Sequence, residues 1–345
     1  MTLRVGDVFA ERFRILGRAG AGGMGIVYRA EDAHSGDTVA LKVLHAGGKP
    51  ERFLREAEVL AQITHPAVVR YVAHGITPSG VAYLAMEWLD GQSLGRRVAE
   101  RRLTFAEVRD LLARVLAGLA RAHGAGVVHR DLKPGNIWVG DAGLAQAKLI
   151  DFGIARRRYD PRLTERGILI GTLTYMSPEQ ARGESEVEPA SDVFSLGSVV
   201  YKCMTGEAPF QGADPTAVLA KVLLDEPAPL AELVPEVPQS FGRLVSRMLE
   251  KSPAERPRDA AAVLDAIESM GEPTPAMAGT PGIGNSERRV VWVVLAPGRP
   301  VDEEATRTTD ASSPERGASD LTLLVERERG RLDRLANGTD VASFV

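Results

Sequence analysis

The side chains best suited to chemistry lie in two short stretches near the middle of the chain. The first, residues 127–136, brings Asp131, Lys133 and Asn136 after an apolar run, and its proline and glycine disfavour regular helix or central strand. The second places Asp151 after another apolar pair. Carboxylate and amide oxygens are the hard ligands that Mg²⁺ takes together with phosphate oxygens and waters. The sequence therefore predicts a loop-borne site with metal ligands and one carboxylate left to orient a hydroxyl.

A glycine-rich stretch near the N-terminus is suited to holding phosphate. Gly20, Gly22 and Gly25 let backbone N–H groups approach an anion without obstruction by a Cβ atom. A dinucleotide-binding fold requires a helix after such glycines. Here the β-branched and aromatic residues 26–28 follow, and they favour a strand. The pattern therefore predicts a hairpin that covers a nucleotide.

Lys42 interrupts the buried-strand pattern of residues 39–44. Because an unpaired buried lysine is costly, we expect a negatively charged partner. The next segment predicts a helix that begins near Pro50, a residue suited to the first helical position, and this helix offers Glu56. Glu58 is the rival partner, although it lies on another face of the helix. A surface lysine with solvated helix charges remains the alternative.

Hydrophobic periodicity predicts the other elements. Strands are expected over Phe9–Leu16, Ile26–Ala30, Val68–Ala73 and Val81–Trp88. Helices are expected near Thr216–Leu224, Ser240–Leu249 and Ala260–Met270. A further helix over Phe105–Ala125 begins with a capping box of Thr104 and Glu107, and we expect it to support the loop of residues 127–136.

Length and composition limit the class of protein. At 345 residues the chain is long enough for about two domains, and a hydrophobic share of 44% is ample for a large core. The net charge of −4 disfavours nucleic acid and anionic membranes as partners. The single cysteine, Cys203, excludes an internal disulfide. Without a secretory signal pattern or an apolar run of about 18 residues, the sequence predicts a soluble, cytoplasmic protein with no membrane span.

Four motifs together resemble the protein kinase family, and most closely the serine/threonine kinases of bacteria. They follow the family's order: Gly-Gly-Met-Gly-x-Val-Tyr at 22–28, His-Arg-Asp-Leu-Lys-Pro-Gly-Asn at 129–136, Asp-Phe-Gly at 151–153 and Ser-Pro-Glu-Gln-Ala at 177–181. The resemblance implies an α+β, bilobal kinase domain over residues 1–270. A small lobe of five antiparallel strands and one helix would occupy about residues 9–88, and a larger, mainly helical lobe about residues 89–270, with ATP between them.

The resemblance also implies roles for the residues of the two lobes. Lys42 would hold the α- and β-phosphates of ATP, oriented by Glu56, which the resemblance prefers over its rival. Asn136 and Asp151 would bind Mg²⁺, with Mn²⁺ as the alternative ion. The other implied nucleotide contacts lie in the glycine hairpin and in the hinge between the lobes: Gly20, Gly22, Gly25, Val27, Met86, Glu87 and Leu89.

Asp131 would orient the acceptor hydroxyl and take its proton, while Lys133 would neutralise the charge on the γ-phosphate. A lysine at this position is what serine/threonine kinases carry. The implied partners are therefore proteins with Ser or Thr acceptors, and the implied reaction is phosphoryl transfer.

Residues 151–179 resemble the activation segment of the family. A loop this long inside a compact domain is usually functional or mobile. We expect autophosphorylation at Thr164, because a phosphate there would pair with Arg130, and we regard Thr172 and Thr174 as weaker candidates.

Two structural contacts are implied as well: Glu179 with Arg256, and Asp192 with the backbone of the catalytic loop. Two other classes of function compete with the kinase. A pseudokinase would have lost the lysine or a metal ligand, and none is lost. A signalling scaffold would act mainly through the C-terminal region.

The C-terminal region differs in composition from the rest of the chain. Residues 271–287 are rich in proline and glycine and predict a flexible linker. In residues 288–345, an apolar strand at 290–295 and a hairpin at 331–344 resemble part of a class III nucleotide-cyclase homology domain, although an unrelated α/β fragment is the alternative. Pro297 and Asn337 stand where that family has metal-binding aspartates. We therefore expect a catalytically inactive, poorly ordered or loosely docked segment.

Overall fold

The structure, a computed structural model, describes residues 2–22, 25–45, 50–141, 143–152, 170–270, 292–296, 331–334 and 340–344. Several residues singled out by the sequence lie outside the described part, namely Gly153, Thr164, Pro297, Asn337 and the linker 271–287. The side chains of Glu56 and Thr172 lie outside it as well.

The small lobe is built on one antiparallel sheet with the strand order β1-β2-β3-β4-β6-β5. Its strands are β1 Val8–Phe9, β2 Phe13–Ala21, β3 Gly25–Asp32, β4 Thr38–Leu44, β5 Tyr71–Ile76 and β6 Ala82–Glu87. Helix α1, Pro50–Gln62, lies between β4 and β5 in the chain and begins at the proline that predicted its start. The described sheet of the small lobe therefore has six strands, one more than the five that were predicted.

The extra strand arises because the predicted strand Phe9–Leu16 is interrupted. Ala10 and Glu11 have φ values of 50° and 57°, in the left-handed region. The chain turns back at these residues, so that Phe9 pairs with Phe13 instead of continuing the strand. Alternation of side chains along the sequence gave no sign of this turn, since neither residue is a glycine.

Strand β4 shows how the sheet presents a charged side chain to the cleft. Val39, Leu41 and Val43 are buried in the core of the small lobe. Because successive side chains point to opposite faces of a strand, Ala40 and Lys42 lie on the other face, toward the large lobe. Lys42 is 8% exposed. The side chain of Lys42 therefore points away from the apolar core of the small lobe, toward the place where the two lobes meet.

The large lobe contains a small sheet and nine helices among its described residues. The sheet has the order β7-β8-β9, with β7 Gln92–Ser93, β8 Ile137–Gly140 and β9 Gly143–Leu149. The helices are α2 Leu94–Glu100, α3 Phe105–Gly124, α4 Ile170–Leu173, α5 Pro178–Ala181, α6 Pro189–Thr205, α7 Pro215–Leu224, α8 Leu230–Leu233, α9 Gln239–Met248 and α10 Ala260–Ser269. Within the described ranges, no helix is both long and apolar enough to cross a membrane.

Helix α3 confirms its predicted N-terminus. Thr104 Oγ1 accepts a hydrogen bond from the backbone N–H of Glu107 at 3.3 Å, and Glu107 Oε2 accepts one from the N–H of Thr104 at 2.9 Å. Leucine and valine side chains at helical spacing bury one face of α3 against the core of the large lobe. The helix thus leads a rigid chain into the loop at residues 127–136.

Three C-terminal strands form a separate antiparallel sheet in the order β10-β12-β11, with β10 Trp292–Ala296, β11 Arg331–Arg334 and β12 Asp340–Phe344. Arg334 pairs with Asp340, and Leu295 pairs with Val341. The predicted strand and both arms of the predicted hairpin are therefore present, while the turn between the arms lies outside the described residues.

Candidate active site

Asp192, in the first turn of α6, holds the loop at residues 127–136. Its buried carboxylate accepts hydrogen bonds from the backbone N–H of His129 at 2.7 Å and of Arg130 at 2.9 Å. The side chain of His123, at the end of α3, donates a third through Nε2 at 2.9 Å. Three donors thus satisfy a charge that would otherwise be costly to bury, and they fix the backbone immediately before Asp131.

Asp131, Lys133 and Asn136 meet in one hydrogen-bonded group. Lys133 Nζ donates to Asp131 Oδ2 at 2.9 Å. Asn136 Nδ2 donates to the same oxygen at 2.9 Å and to the backbone oxygen of Asp131 at 2.7 Å. Because both partners of the amide are acceptors, the amide nitrogen must face Asp131, and the amide oxygen of Asn136 points away from it. The loop therefore presents a held carboxylate and a separate hard oxygen atom.

His129 supports this loop from inside as a neutral ring. It is 0% exposed, its Nε2 donates to the backbone oxygen of Ile150 at 3.2 Å, and its ring lies 4.5 Å from that of Phe152. Burial lowers the pKa of His129 below its ordinary value, although the charges of Asp192 and Asp131 oppose the shift. The histidine thus joins the loop to the segment that carries Asp151 without adding a charge.

Lys42 of the small lobe and Asp151 of the large lobe form an ion pair across the cleft. Lys42 Nζ donates to Asp151 Oδ1 at 2.9 Å, and the two residues are 109 positions apart in the chain. Burial raises the pKa of Asp151, but the charge and hydrogen bond of Lys42 lower it by more, so that it lies below its ordinary value. The carboxylate is therefore ionised at neutral pH. Its side chain remains 42% exposed, which leaves room for a ligand.

Backbone strain accompanies the two loops. Arg130 has a φ of 65° and Asp151 a φ of 53°, values that residues with a Cβ atom seldom adopt. Such outliers persist only where the surrounding structure holds them, and they cluster at functional sites. Here the hydrogen bond from the N–H of Arg130 to Asp192 and the one from Lys42 to Asp151 hold them.

The sequence assigned Glu56 as the partner of Lys42. Among the described side chains Lys42 pairs with Asp151, and Glu56 lies in α1 with an undescribed side chain. The rival residue, Glu58, is exposed. The assignment of Glu56 therefore stays a prediction.

A cleft of about 250 Å³ lies between the lobes beside this ion pair. Five residues named from the sequence line it: Gly20, Val27, Met86, Glu87 and Leu89, with Asp151 at its end. Five further residues line the cleft, although the sequence did not assign them to it: Ala19, Ala40, Val69, Trp138 and Ile150. Along β8, Ile137 and Val139 are buried and Trp138 is half-buried. This alternation does not show which side chains lie across the cleft from Trp138.

The hinge residues differ in how they face the cleft. The carboxylate of Glu87 bonds Lys148 Nζ at 2.5 Å and the backbone N–H of Arg70 at 2.7 Å, so its charge is turned away from a ligand. The backbone N–H of Glu87 donates to the oxygen of Arg70 at 2.9 Å. Among the described residues, the backbone N–H of Leu89 has no such partner. Leu89 rather than Glu87 is therefore placed to donate to the edge of a base.

The glycine hairpin is formed by β2 and β3, as predicted. Ala21 pairs with Ile26, and the N–H of Gly22 donates to the oxygen of Gly25 at 2.9 Å. A Cβ atom at Gly25 would lie 2.3 Å from the backbone oxygen of Val43, so no side chain fits there. A Cβ atom at Gly22 would meet nothing within 4 Å. Gly25 is thus required by sheet packing, whereas Gly22 leaves open space above the cleft.

Comparisons with known proteins agree with this arrangement. The family "Protein kinase domain" matches residues 13–266. The serine/threonine-protein kinase pkn2 of Myxococcus xanthus is 38% identical over 285 residues, which are 79% of this chain and 34% of pkn2. The serine/threonine-protein kinase PknA of Mycobacterium tuberculosis is 36% identical over 298 residues, 83% of this chain and 68% of PknA. The chain thus spans only about a third of pkn2 but two thirds of PknA.

A solved structure gives the same result for the fold. The crystal structure of Rad53 1-466 in complex with AMP-PNP is 26% identical, has a TM-score of 0.62, and covers 74% of this chain and 65% of that chain. None of these comparisons supports a cyclase-like segment after residue 287. With a family match over residues 13–266 and the lobes, hairpin and loops in place, the chain belongs to the protein kinase family, and its kinase domain is of the bacterial serine/threonine type.

Proposed function

We propose that the protein transfers the γ-phosphate of ATP to Ser and Thr hydroxyls of proteins. The observation that carries the proposal is that two polar groups lie on adjoining segments, since the N–H of Ile150 donates to the backbone oxygen of Asn136 at 3.0 Å. The Asp131–Lys133–Asn136 group lies on a loop fixed by Asp192, and the Lys42–Asp151 pair lies at the end of the cleft. Transfer of phosphate depends mainly on positioning and on charge neutralisation, and these side chains supply both.

The residues present fit a divalent metal ion. Asp151 is ionised, and Lys42 holds only one of its oxygens in the contacts described above. The amide nitrogen of Asn136 is engaged by Asp131, so its oxygen is the atom left to coordinate. Two hard oxygen ligands suit Mg²⁺ or Mn²⁺, which takes the rest of its shell from phosphate and water. When bound, such an ion neutralises phosphate charge as the transferred group departs.

Each side chain then has one task. Lys42 binds the α- and β-phosphates, and the backbone of Gly20, Gly22 and Gly25 covers them. Asp131 accepts a hydrogen bond from the acceptor hydroxyl and takes its proton as the new P–O bond forms. Lys133 already donates to Asp131 at 2.9 Å, and it stabilises the charge that develops on the γ-phosphate.

Two features support ATP as the donor and Ser or Thr as the acceptor. The neighbouring Rad53 structure contains AMP-PNP, and the relatives are named serine/threonine kinases. Lys133 occupies the catalytic-loop position that serine/threonine kinases fill with lysine. The substrates, partners and activity of the whole protein are part of this proposal.

Incubation with Mg²⁺ and γ-labelled ATP, followed by phosphoamino-acid analysis, tests the proposal. We expect labelled phosphoserine or phosphothreonine on the protein itself or on a general acceptor protein. Asp131→Asn should lose the label but still bind the nucleotide, since the proposed task of Asp131 is with the hydroxyl. A pseudokinase would bind ATP and yield no label in the wild type. Label confined to tyrosine, or wild-type rates in Asp131→Asn, would contradict the proposal.

We propose further that Thr164 is the site of autophosphorylation. Thr164 lies outside the described residues, so the support for this proposal comes from Thr174 and Arg130. Thr174 is 7% exposed and its hydroxyl donates to the backbone oxygen of Gly171 at 3.2 Å, which makes it a poor acceptor. Arg130, on the catalytic loop, offers a cation for a phosphate in this segment. Peptide mapping of protein incubated with ATP should find phosphate on Thr164, and full activity with an unmodified Thr164 would contradict the idea.

For residues 288–345 we propose a partial cyclase-like unit without cyclase activity. Its support is the pairing of β10 with the β11–β12 hairpin in one antiparallel sheet. Two-metal chemistry requires carboxylates, and the sequence has Pro297 and Asn337 at the corresponding positions. Purified protein with Mg²⁺ or Mn²⁺ and ATP or GTP should form no cyclic nucleotide. Cyclic product above the level of an Asn337→Ala control would overturn this.

A further inference from the structure

We infer that Gln180 is a positioning residue for phosphoryl transfer: its side-chain amide holds the peptide bond that precedes Asp131 and thereby sets the direction of the catalytic carboxylate. The inference rests on the proposed function, since it concerns the same loop. It gives the glutamine of the Ser-Pro-Glu-Gln-Ala motif a task that the proposed function leaves open.

The backbone immediately before Asp131 has to be held by its surroundings. Arg130 has a φ of 65°, in the left-handed region, and a residue with a Cβ atom stays there only where neighbouring groups fix it. The N–H of Arg130 donates to Asp192 Oδ1 at 2.9 Å. The backbone oxygen of Arg130 accepts a hydrogen bond from Gln180 Nε2 at 2.8 Å. The strained residue is thus held at both ends, by α6 at its N–H and by α5 at its oxygen.

The bond from Gln180 acts on the peptide that leads directly into Asp131. Because a peptide unit is planar, the oxygen of Arg130 and the N–H of Asp131 turn together. That N–H lies 3.4 Å from His129 Nδ1, beyond the usual range of N–H donors, whereas the oxygen is held by Gln180 at 2.8 Å. Of these two contacts the one from Gln180 is the shorter and the stronger. Its loss should therefore let the peptide turn and carry the carboxylate of Asp131 with it.

The amide of Gln180 is itself fixed at its other end. Gln180 Oε1 accepts hydrogen bonds from the backbone N–H of Ser177 at 3.1 Å and from the hydroxyl of Ser177 at 3.2 Å. Because a backbone N–H can only donate, Oε1 must face Ser177, and Nε2 must face the oxygen of Arg130. The neighbouring residue in α5, Glu179, anchors this helix in the large lobe through its buried pair with Arg256. Gln180 thus reaches the catalytic loop from a helix that is itself anchored.

The two ends of the amide have tasks that substitutions can separate. Oε1 caps the start of α5, which is a structural task, and Nε2 holds the loop. Glutamate has the same shape as glutamine and keeps an acceptor for Ser177, but it places a second oxygen against the oxygen of Arg130. Gln180→Glu therefore keeps the cap and loses the bond to the loop. Gln180→Met loses both hydrogen bonds without adding a charge, so agreement between the two variants excludes the added charge as the cause.

Steady-state transfer of labelled phosphate from ATP to a general acceptor protein, measured on the full chain, tests the inference. Gln180→Glu and Gln180→Met should each lower kcat by about 10- to 100-fold, the loss expected when a reacting group moves by about an ångström. The KM for ATP should stay within about twofold, because Gln180 and Arg130 do not line the nucleotide cleft. If Gln180→Met fails to fold, Gln180→Glu, which keeps the cap, provides the comparison.

Ser177→Ala is the matched control. It removes the hydroxyl that donates to Gln180 and to Ser191, but it keeps the backbone N–H that holds Gln180 Oε1. The variant should therefore be less stable than wild type, while its kcat stays within about threefold. A purely structural role of Gln180 predicts instead that kcat falls in Ser177→Ala as well.

Hydrogen exchange gives a second reading that does not depend on activity. In Gln180→Glu the backbone amides of residues 129–131 should exchange about tenfold faster than in wild type, whereas those of α3, which report global unfolding, should not change. A kcat near that of wild type in both Gln180 variants, an equal loss in Ser177→Ala, or unchanged exchange at residues 129–131 would overturn the inference alone. A wild type that transfers no phosphate would overturn the proposed function and the inference with it.

Discussion

Two of the ion pairs that join distant parts of the chain differ in what surrounds them. Arg256 donates to the two carboxylate oxygens of Glu179 at 2.8 and 2.9 Å, and their side chains are 0% and 4% exposed. The same guanidinium also donates to the backbone oxygens of Ala190, Glu250 and Lys251 at 3.1, 2.7 and 2.9 Å. All of its donor directions are thus used within the protein.

The pair in the cleft is more open to solvent. Lys42 Nζ donates to Asp151 Oδ1 at 2.9 Å, and the aspartate side chain is 42% exposed. A lysine is also a point charge that adapts to its partner, whereas the guanidinium of Arg256 matches a carboxylate with two parallel bonds. The cleft pair therefore keeps both its charge and its exposed surface for a ligand.

The comparison separates a pair that stabilises the fold from one that serves the site. In both, burial raises the pKa of the acid, and the basic partner lowers it by more, so both Glu179 and Asp151 have pKa values below the ordinary range. The pKa direction alone thus does not distinguish the two roles. The exposure of the carboxylate does.

The largest effect is expected on catalysis from the cleft pair. Asp151→Asn or Lys42→Ala should lower the rate of phosphoryl transfer by about a thousandfold or more, because each removes a charge that acts on the transferred phosphate. The midpoint of thermal unfolding should change less for Asp151→Asn, which keeps the shape of a half-exposed side chain, than for Lys42→Ala, which also removes the buried apolar stem of the lysine. Labelled phosphate transfer and thermal unfolding are measured on the same samples.

Lys148→Gln is the matched control for these variants. It also removes a lysine from an interlobe ion pair, but its partner, Glu87, turns its carboxylate away from the cleft. Its transfer rate should stay within about threefold of wild type. A comparable loss in Lys148→Gln, or a near-normal rate in Asp151→Asn, would erase the distinction between the two kinds of pair.

The next largest effect is expected on stability from the buried pair. Glu179→Gln leaves the charge of Arg256 buried without its carboxylate and should lower the free energy of unfolding by about 3–5 kcal/mol. Urea unfolding of wild type and variant gives this difference. The double variant Glu179→Leu, Arg256→Met removes both charges, and its loss should be smaller than the sum of the single losses. A cost below about 1 kcal/mol for Glu179→Gln would show that solvent reaches the pair.

Much of this arrangement could be predicted from local patterns in the sequence. The capping box of Thr104, the proline that starts α1 and the strand alternation around Lys42 are written in neighbouring residues. The pairing of Glu179 with Arg256 and the anchoring by Asp192 followed from the family resemblance, and the structure contains both contacts. These features depend on short segments or on motifs in a known order.

What could not be predicted depends on contacts between segments far apart. The meeting of Lys42 with Asp151 spans 109 positions, and no local pattern specifies it. The place of Trp138 in the wall of the cleft depends on how β8 lies relative to the small lobe. The turn at Ala10 and Glu11 was missed because its left-handed backbone is adopted by residues that carry no special preference for it.

A third ion pair shares one feature with each of the other two and sharpens the comparison. Arg12 donates to both carboxylate oxygens of Asp32, at 2.7 and 2.6 Å, in the small lobe. Asp32 is buried, but the guanidinium side chain is 24% exposed. The hydrogen bonds from Arg12 lower the pKa of Asp32 from 3.8 to about 2, with burial opposing the shift. This pair is bidentate, like that of Glu179, yet partly open to water, like that of Asp151.

Because the folded pKa of Asp32 is depressed, its contribution to stability is fully present above pH 3.8 and is lost as the pH falls through about 2. Asp32→Asn should therefore cost about 1 kcal/mol at pH 7, a value limited by the exposure of Arg12. The cost should shrink as the pH falls through about 2, where half of the wild-type carboxyl groups are protonated, and it should approach zero below that pH. Urea unfolding of both proteins at a series of pH values measures the difference. Glu31→Gln, in the exposed pair with Arg14, should show almost no cost at any pH. If the cost of Asp32→Asn stays constant as the pH falls, shape rather than charge stabilises this pair.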